Sequence, residues 1–173
     1  MYIAGRSKDL IIRSGHNIDP LLIENALQAH PAVALAAAVG QPDRYAGELP
    51  VCYVALRPDM QASAEELMQF AQPLIAERPA WPKQIFVLDA MPMTSVGKIF
   101  KPQLRNDAVR RIVVEEIARM CDPDRVEVDV AAGGKRGMQV TIKLPAGTAD
   151  LRSGIEKVLD GYLFEYTVEI AAG

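Results

Sequence analysis

The run PMTSVGKIFKPQLR, Pro92 to Arg105, carries a glycine and a lysine between a polar turn and a helical segment. Gly97 removes side-chain bulk and permits an unusual backbone conformation at the turn. Lys98 follows it with a compact cation on a flexible stem. That pairing suits a phosphate or carboxylate that must be held at one moment and released at another. A lone Gly-Lys is more often a solvated surface feature, so the neighbours decide the reading. A Walker-type phosphate loop does not fit: Ile99 follows Lys98 where Ser or Thr is needed, and Pro92 stands at the leading glycine position.

Upstream of this run, the chain reads as alternating short strands and helices. Asp9 to Arg13 is a strand, and Ser14-Gly15-His16-Asn17 a turn. Asp19-Pro20 opens a helix, with Asp as N-cap and Pro at the first helical position. Ile23, Ala26 and Leu27 give that helix an apolar face, and His30-Pro31 stops it. Val33 to Val39 and Leu49 to Leu56 are strands separated by the polar loop GQPDRYAGE. Ser63 and Glu66 form a capping box ahead of Leu67, Phe70 and Leu74. Pro79 and Pro82 break the chain, with Trp81 anchoring the loop. Gln84 to Leu88 is a further strand. Downstream, a helix runs from Lys101 to about Met120.

After Asp122-Pro123 the pattern changes. Val126 to Val130 and Gln139 to Leu144 alternate apolar with polar residues, around a turn at Lys135-Arg136-Gly137. Thr148 caps a helix through Leu151, Ile155, Val158 and Leu159, ended by Gly161. Phe164 to Ile170 is the last strand. The reading is an α+β chain: a small mixed sheet of about three strands with a short hairpin and flanking helices over 1–120, then a ββαβ appendix over 121–173.

Composition bounds the function. The 173 residues hold 19 basic and 22 acidic side chains, and half are apolar. This is globular composition, with no basic field for nucleic acid or an anionic membrane. No apolar run is long enough to span a bilayer, and the first residues do not form a signal peptide. Cys52 and Cys121 follow no metal or redox spacing. They read as buried thiols in a reducing, cytoplasmic compartment. The chain opens at once on a polar turn leading into a strand, which reads as the boundary of a larger protein.

Two segments together, GRSKDLIIRSGHNIDPLLIENAL (Gly5 to Leu27) and PMTSVGKIFKPQLR (Pro92 to Arg105), resemble the C-terminal lid domain of the AMP-forming acyl-CoA synthetases, the acyl-adenylate superfamily. The resemblance covers residues 1–120 and leaves 121–173 unexplained. It implies two half-reactions: a carboxylate attacks the α-phosphate of Mg-ATP, and coenzyme A then displaces AMP. The small domain rotates between the steps. Lys98 matches the family's adenylation lysine. Arg6 matches the arginine near the nucleotide ribose and phosphates. Lys8 falls at the hinge, where many members carry Asp. Gly15 lies in the turn that approaches the coenzyme A pantetheine tunnel. ATP and Mg2+ are bound mainly by the N-terminal adenylation domain of such proteins, which supplies the acyl pocket as well. The lid alone is then silent, and the resemblance assigns it no metal ligand.

GHNIDP favours a ligase of fatty or medium-chain acids by analogy. An in-class alternative is an adenylation domain loading a carrier protein; Arg152-Ser153-Gly154 lies inside a helix and does not fit a carrier's serine. A different class, a non-catalytic interaction module, is open through the appendix. Arg6 and Asp9 could be a turn-stabilising pair. His16 and His30 read as structural, Glu24 as a solvated or core-edge carboxylate, and Lys101, Arg105, Arg110 and Arg111 as a solvated helix face.

Overall fold

The computed structural model describes residues 9–172. Arg6 and Lys8 therefore lie outside the described residues. The chain divides into two compact units, Met1–Arg105 and Asn106–Gly173.

The first unit is built on one five-stranded mixed sheet. Its strands are β1 (Ile11–Arg13), β2 (His16–Ile18), β3 (Val33–Asp43), β4 (Gly47–Leu56) and β5 (Gln84–Leu88). The order is β2-β1-β4-β3, with β5 pairing β4. β4 is the organising strand. β3 runs antiparallel along one of its edges from Asp43↔Gly47 to Val33↔Leu56. The other edge takes β1 at Arg13↔Gly47 and then β5 in parallel from Val51↔Gln84 to Ala55↔Leu88. A strand buried on both faces needs a continuous apolar run, and β4 supplies one, buried from Pro50 through Ala55.

Helix α1 (Pro20–Gln28) starts where the sequence reading placed it, with the Asp19 side chain accepting from the Leu21 N–H and Pro20 at the first position. Its buried face is Ile23, Glu24, Ala26 and Leu27. Helix α2 (Ala64–Ala71) is capped by Ser63, whose side chain accepts from the Glu66 N–H. α2 gives way to a 3-10 turn at Gln72–Leu74, and Leu74 is exposed, outside the stripe expected of it. Ile11, Ile18, Ile23, Leu27, Cys52 and Leu67 lie in one core cluster. Trp81 packs on it and donates its indole N–H to Ile75 O at 3.1 Å, the anchor its position suggested.

The polar stretch GQPDRYAGE is mostly strand. Gly40 to Asp43 pair with Pro50 to Gly47, which shortens the loop to Arg44–Ala46. Asp43 Oδ1 closes that turn by accepting from the Tyr45 and Ala46 N–H groups at 2.9 and 2.7 Å. The local Asx geometry makes a hairpin of a stretch whose composition suggests a loop.

Helix α3 (Lys101–Ala118) runs across the division between units. In the second unit β6 (Glu127–Ala132), β7 (Met138–Leu144) and β8 (Glu165–Ile170) form a sheet with β7 central, antiparallel to β6 and parallel to β8. Helix α4 (Ala149–Leu159) makes the parallel crossover. Val109, Ile112, Val113 and Ile117 of α3 belong to the same buried cluster as Val140, Ile142, Ile155 and Leu159. The residues after Arg105 thus pack with the ββαβ unit. Thr148 precedes α4, but its hydroxyl donates to Pro145 O and does not cap the helix. Among the described residues, no helix is long and apolar enough to cross a membrane.

Candidate functional site

Lys98 sits on a three-residue hairpin. The Gly97 N–H donates to Thr94 O at 3.0 Å and the Thr94 N–H to Lys98 O at 2.6 Å. Met93 bridges Ile99 in antiparallel fashion, and the Phe100 N–H donates to Pro92 O at 2.8 Å. Gly97 has φ of +79°. A type I turn followed by a left-handed residue is a common three-residue hairpin loop, and glycine takes that last position without a Cβ penalty. Thr94 adds a side-chain tie: its Oγ1 accepts from the Lys98 N–H at 3.1 Å. The lysine is therefore on the outgoing arm of a closed hairpin, three residues before α3, rather than at the opening of the helix. Its backbone is fixed while its side chain is exposed.

Gly15 sits on a second tight turn, between β1 and β2. Arg13 pairs His16 across it, and Ser14 and Gly15 have φ of +49° and +83°. Two consecutive positive φ values make the two-residue turn that matches strand twist. The turn is held to the sheet by the Ser14 N–H donating to Ala46 O at 2.7 Å. Glu48 holds the strand behind it, accepting from the Ile12 N–H at 2.9 Å. Gly40 makes room for that carboxylate: a Cβ there would lie 2.6 Å from Glu48 Cδ. The two turns are separate features. A Cβ added at Gly15 or at Gly97 would meet nothing within 4 Å.

Beside the Gly15 turn is an open pocket of about 320 Å³ lined by Arg13, Ser14, His16, Arg78 and Pro79. Arg13 Nη1 donates to Pro79 O at 2.8 Å, and Arg78 lies over the Trp81 ring at 5.7 Å. His16 is exposed there. His30 is structural: its Nδ1 accepts from the Ala32 N–H at 3.1 Å, and its ring meets Phe70 edge-on at 4.8 Å.

The residues behind the Lys98 hairpin depart from the sequence reading. Lys101 and Arg105 do not form a solvated face. Lys101 Nζ pairs with Glu24 Oε1 at 2.7 Å, with both side chains largely buried. The same oxygen accepts from the Ala38 N–H at 2.9 Å. Arg105 pairs with Asp9, so Asp9 has its partner in α3; the suggested Arg6 pairing lies outside the described residues. Arg111 pairs with Asp107 one turn away, and Arg110 donates to Val128 O at 3.3 Å. Spacing along the chain could not show the Glu24–Lys101 contact, because its partners lie on separate elements. The one sequence signal was a glutamate on the apolar stripe of α1.

Cys52 lies in this neighbourhood, fully buried. Burial pushes its thiol well above the usual range, the Glu24 carboxylate adds to this, and Lys101 opposes it. It is an inert core thiol.

The AMP-binding enzyme C-terminal domain family matches residues 22–98. Marinolic acid–CoA ligase of Pseudoalteromonas sp. (strain SANK 73390) is 43% identical over 169 residues, covering 96% of this chain and 26% of the ligase. That match takes in the second unit. Medium-chain fatty-acid–CoA ligase of Escherichia coli (strain K12) is 38% identical over 119 residues, 66% of this chain and 21% of the ligase. Among solved structures, an acyl-CoA synthetase of Brucella canis superposes with a TM-score of 0.56 at 37% identity, over 62% of this chain and 20% of that one. A fatty acyl CoA synthetase of Mycobacterium tuberculosis gives 0.55 at 31% identity, over 61% and 21%. The chain spans about a quarter or less of the length of these relatives. Sequence and backbone likeness thus lead to one placement: residues 22–98 belong to the AMP-binding enzyme C-terminal domain family, and the relatives that share this region are CoA ligases.

Proposed function

We propose that this chain is the mobile lid of an ATP-dependent, AMP-forming acyl-CoA synthetase. Lys98 serves the first half-reaction and the Gly15 turn the second. The substrates are a carboxylic acid of the fatty class, Mg-ATP and coenzyme A. An N-terminal adenylation domain holds the nucleotide, its Mg2+ and the acyl chain. Arg6 contacts the nucleotide and Lys8 is the hinge.

The observation that carries this reading is the way Lys98 is presented. A hairpin closed by three backbone hydrogen bonds and by the Thr94 side chain fixes where the lysine starts, and its side chain is exposed. Attack of a carboxylate on an α-phosphate brings two anions together, and negative charge grows at the phosphorus in the transition state. An ammonium between them offsets the repulsion and positions both reactants. Its three donors can bond a carboxylate and a phosphate oxygen together. The Gly15 turn offers backbone with no side chain in its way, which suits passage of a narrow thiol arm.

The experiment is Lys98→Ala in the full-length protein. Formation of acyl-adenylate is measured as pyrophosphate release from acid and Mg-ATP. It should fall by at least about 10²-fold, the scale for one lost electrostatic donor. Equal loss in both half-reactions would contradict the assignment. The 173-residue chain alone should bind neither ATP nor coenzyme A tightly by titration calorimetry.

A further inference from the structure

β3 is an outer strand of its sheet. The Ala38 N–H on β3 is buried and is met by Glu24 Oε1 of α1 at 2.9 Å. A single carboxylate oxygen thus satisfies a sheet edge from a neighbouring helix. That oxygen also receives Lys101 Nζ at 2.7 Å. Lys101 is the first residue of α3, and the chain from it back to Lys98 has little slack. The Phe100 N–H is bonded to Pro92 O, Ile99 bridges Met93, and Lys98 is tied at both backbone groups to Thr94. A continuous series of short contacts therefore joins the β3 edge to the backbone of Lys98.

We propose that Glu24 and Lys101 are positioning residues for adenylation, holding the Lys98 hairpin where its ammonium meets the carboxylate and the α-phosphate. The proposal rests on the assignment of Lys98 to that half-reaction. Neither residue touches the reactants. A displacement of about 1 Å at a reacting group can cost on the order of 10²-fold in rate, so loss of a remote tether has a kinetic consequence. The Gly15 turn is tethered elsewhere, through Glu48 and Ala46. Loss of the Glu24–Lys101 pair therefore spares thioester formation.

The test uses the full-length protein, with adenylation and thioester formation from supplied acyl-adenylate assayed apart. Glu24→Gln keeps an oxygen for the Ala38 N–H and removes the charge; Lys101→Met keeps the stem. Each should lower the kcat of adenylation by about 10- to 100-fold, with KM values and thioester formation nearly unchanged. The double variant should be no worse than the worse single one, because the two residues act as a unit. Lys101→Arg keeps charge and reach and should restore most of the rate. In a Lys98→Ala background Glu24→Gln should add nothing. If Lys98→Ala disables adenylation while Glu24→Gln and Lys101→Met leave it intact, the positioning role is wrong and the Lys98 assignment stands. If Lys98→Ala leaves adenylation intact, both fall. Parallel losses in the two half-reactions, or a Lys101→Arg variant as slow as Lys101→Met, would also overturn the positioning role. Should Glu24→Gln fail to fold, Lys101→Met against Lys101→Arg decides it alone.

Discussion

At the scale of single residues, the first unit depends on a few side chains whose partners are distant in sequence. Glu24 is buried, and removal of one member of a buried ion pair costs about 3–5 kcal/mol because the other charge is left unpaired. Lys101→Met should therefore lower stability in chemical denaturation by more than Lys143→Met, whose pair with Glu127 is solvent-exposed. Equal effects would contradict the buried geometry. Cys52 gives a pH prediction. Its folded thiol titrates above its usual 9.0, so the folded state holds its proton more tightly than the unfolded chain. The stability from this difference is fully present below about pH 9 and is lost as pH rises above it. Tyr166 acts in the same direction from its usual 10.0 to about 12, through desolvation first and then its hydrogen bond to Asp160. Denaturation midpoints should fall as pH rises beyond 9, and by less in Cys52→Ala. Cys121 is only partly buried, against the expectation that both thiols are buried, so in native protein at pH 8 a thiol reagent should label Cys121 and leave Cys52 unreacted; rapid double labelling would contradict the buried thiol.

At the scale of elements, capping and turn chemistry were legible in the sequence, whereas element ends and cross-element partners were not. Asp19-Pro20 and Ser63 cap their helices as read, because a cap is specified by residues within one turn. Ser63→Ala should cost about 1 kcal/mol, read as a drop in Tm. β3 and β4 reach further than their apolar cores, because Gly40 to Asp43 gain cross-strand partners that no local pattern contains. The Lys98 turn was legible as glycine chemistry. Its hairpin form was not, since it needs Met93 opposite Ile99. Gly97 and Gly15 both have positive φ with open space around the absent Cβ. Alanine at either should cost about 1–2 kcal/mol from backbone strain alone. Gly97→Ala should slow adenylation, and Gly15→Ala should slow thioester formation.

At the scale of the whole molecule, α3 begins in the first unit and gives its apolar residues to the core of the second. The sequence pattern of α3 is continuous, so its division could not be read from periodicity. Only the packing shows that Val109, Ile112, Val113 and Ile117 join the ββαβ cluster. A chain cut after Met120 would expose that apolar face. Size-exclusion chromatography should show it self-associating relative to the uncut chain; a well-behaved monomer would contradict the assignment of those residues to the second core. The marinolic acid–CoA ligase match extends over the second unit, so that unit is shared with at least one ligase. The lid reading also requires the two turns to serve different chemical steps from one compact unit. The most direct test is to measure both half-reactions in full-length Lys98→Ala and Gly15→Ala side by side, under single-turnover conditions. A crossed pattern is expected: Lys98→Ala fails at acyl-adenylate formation yet converts supplied acyl-adenylate to thioester, and Gly15→Ala does the reverse. If each variant slows both steps to the same extent, the division of labour between the two turns is wrong.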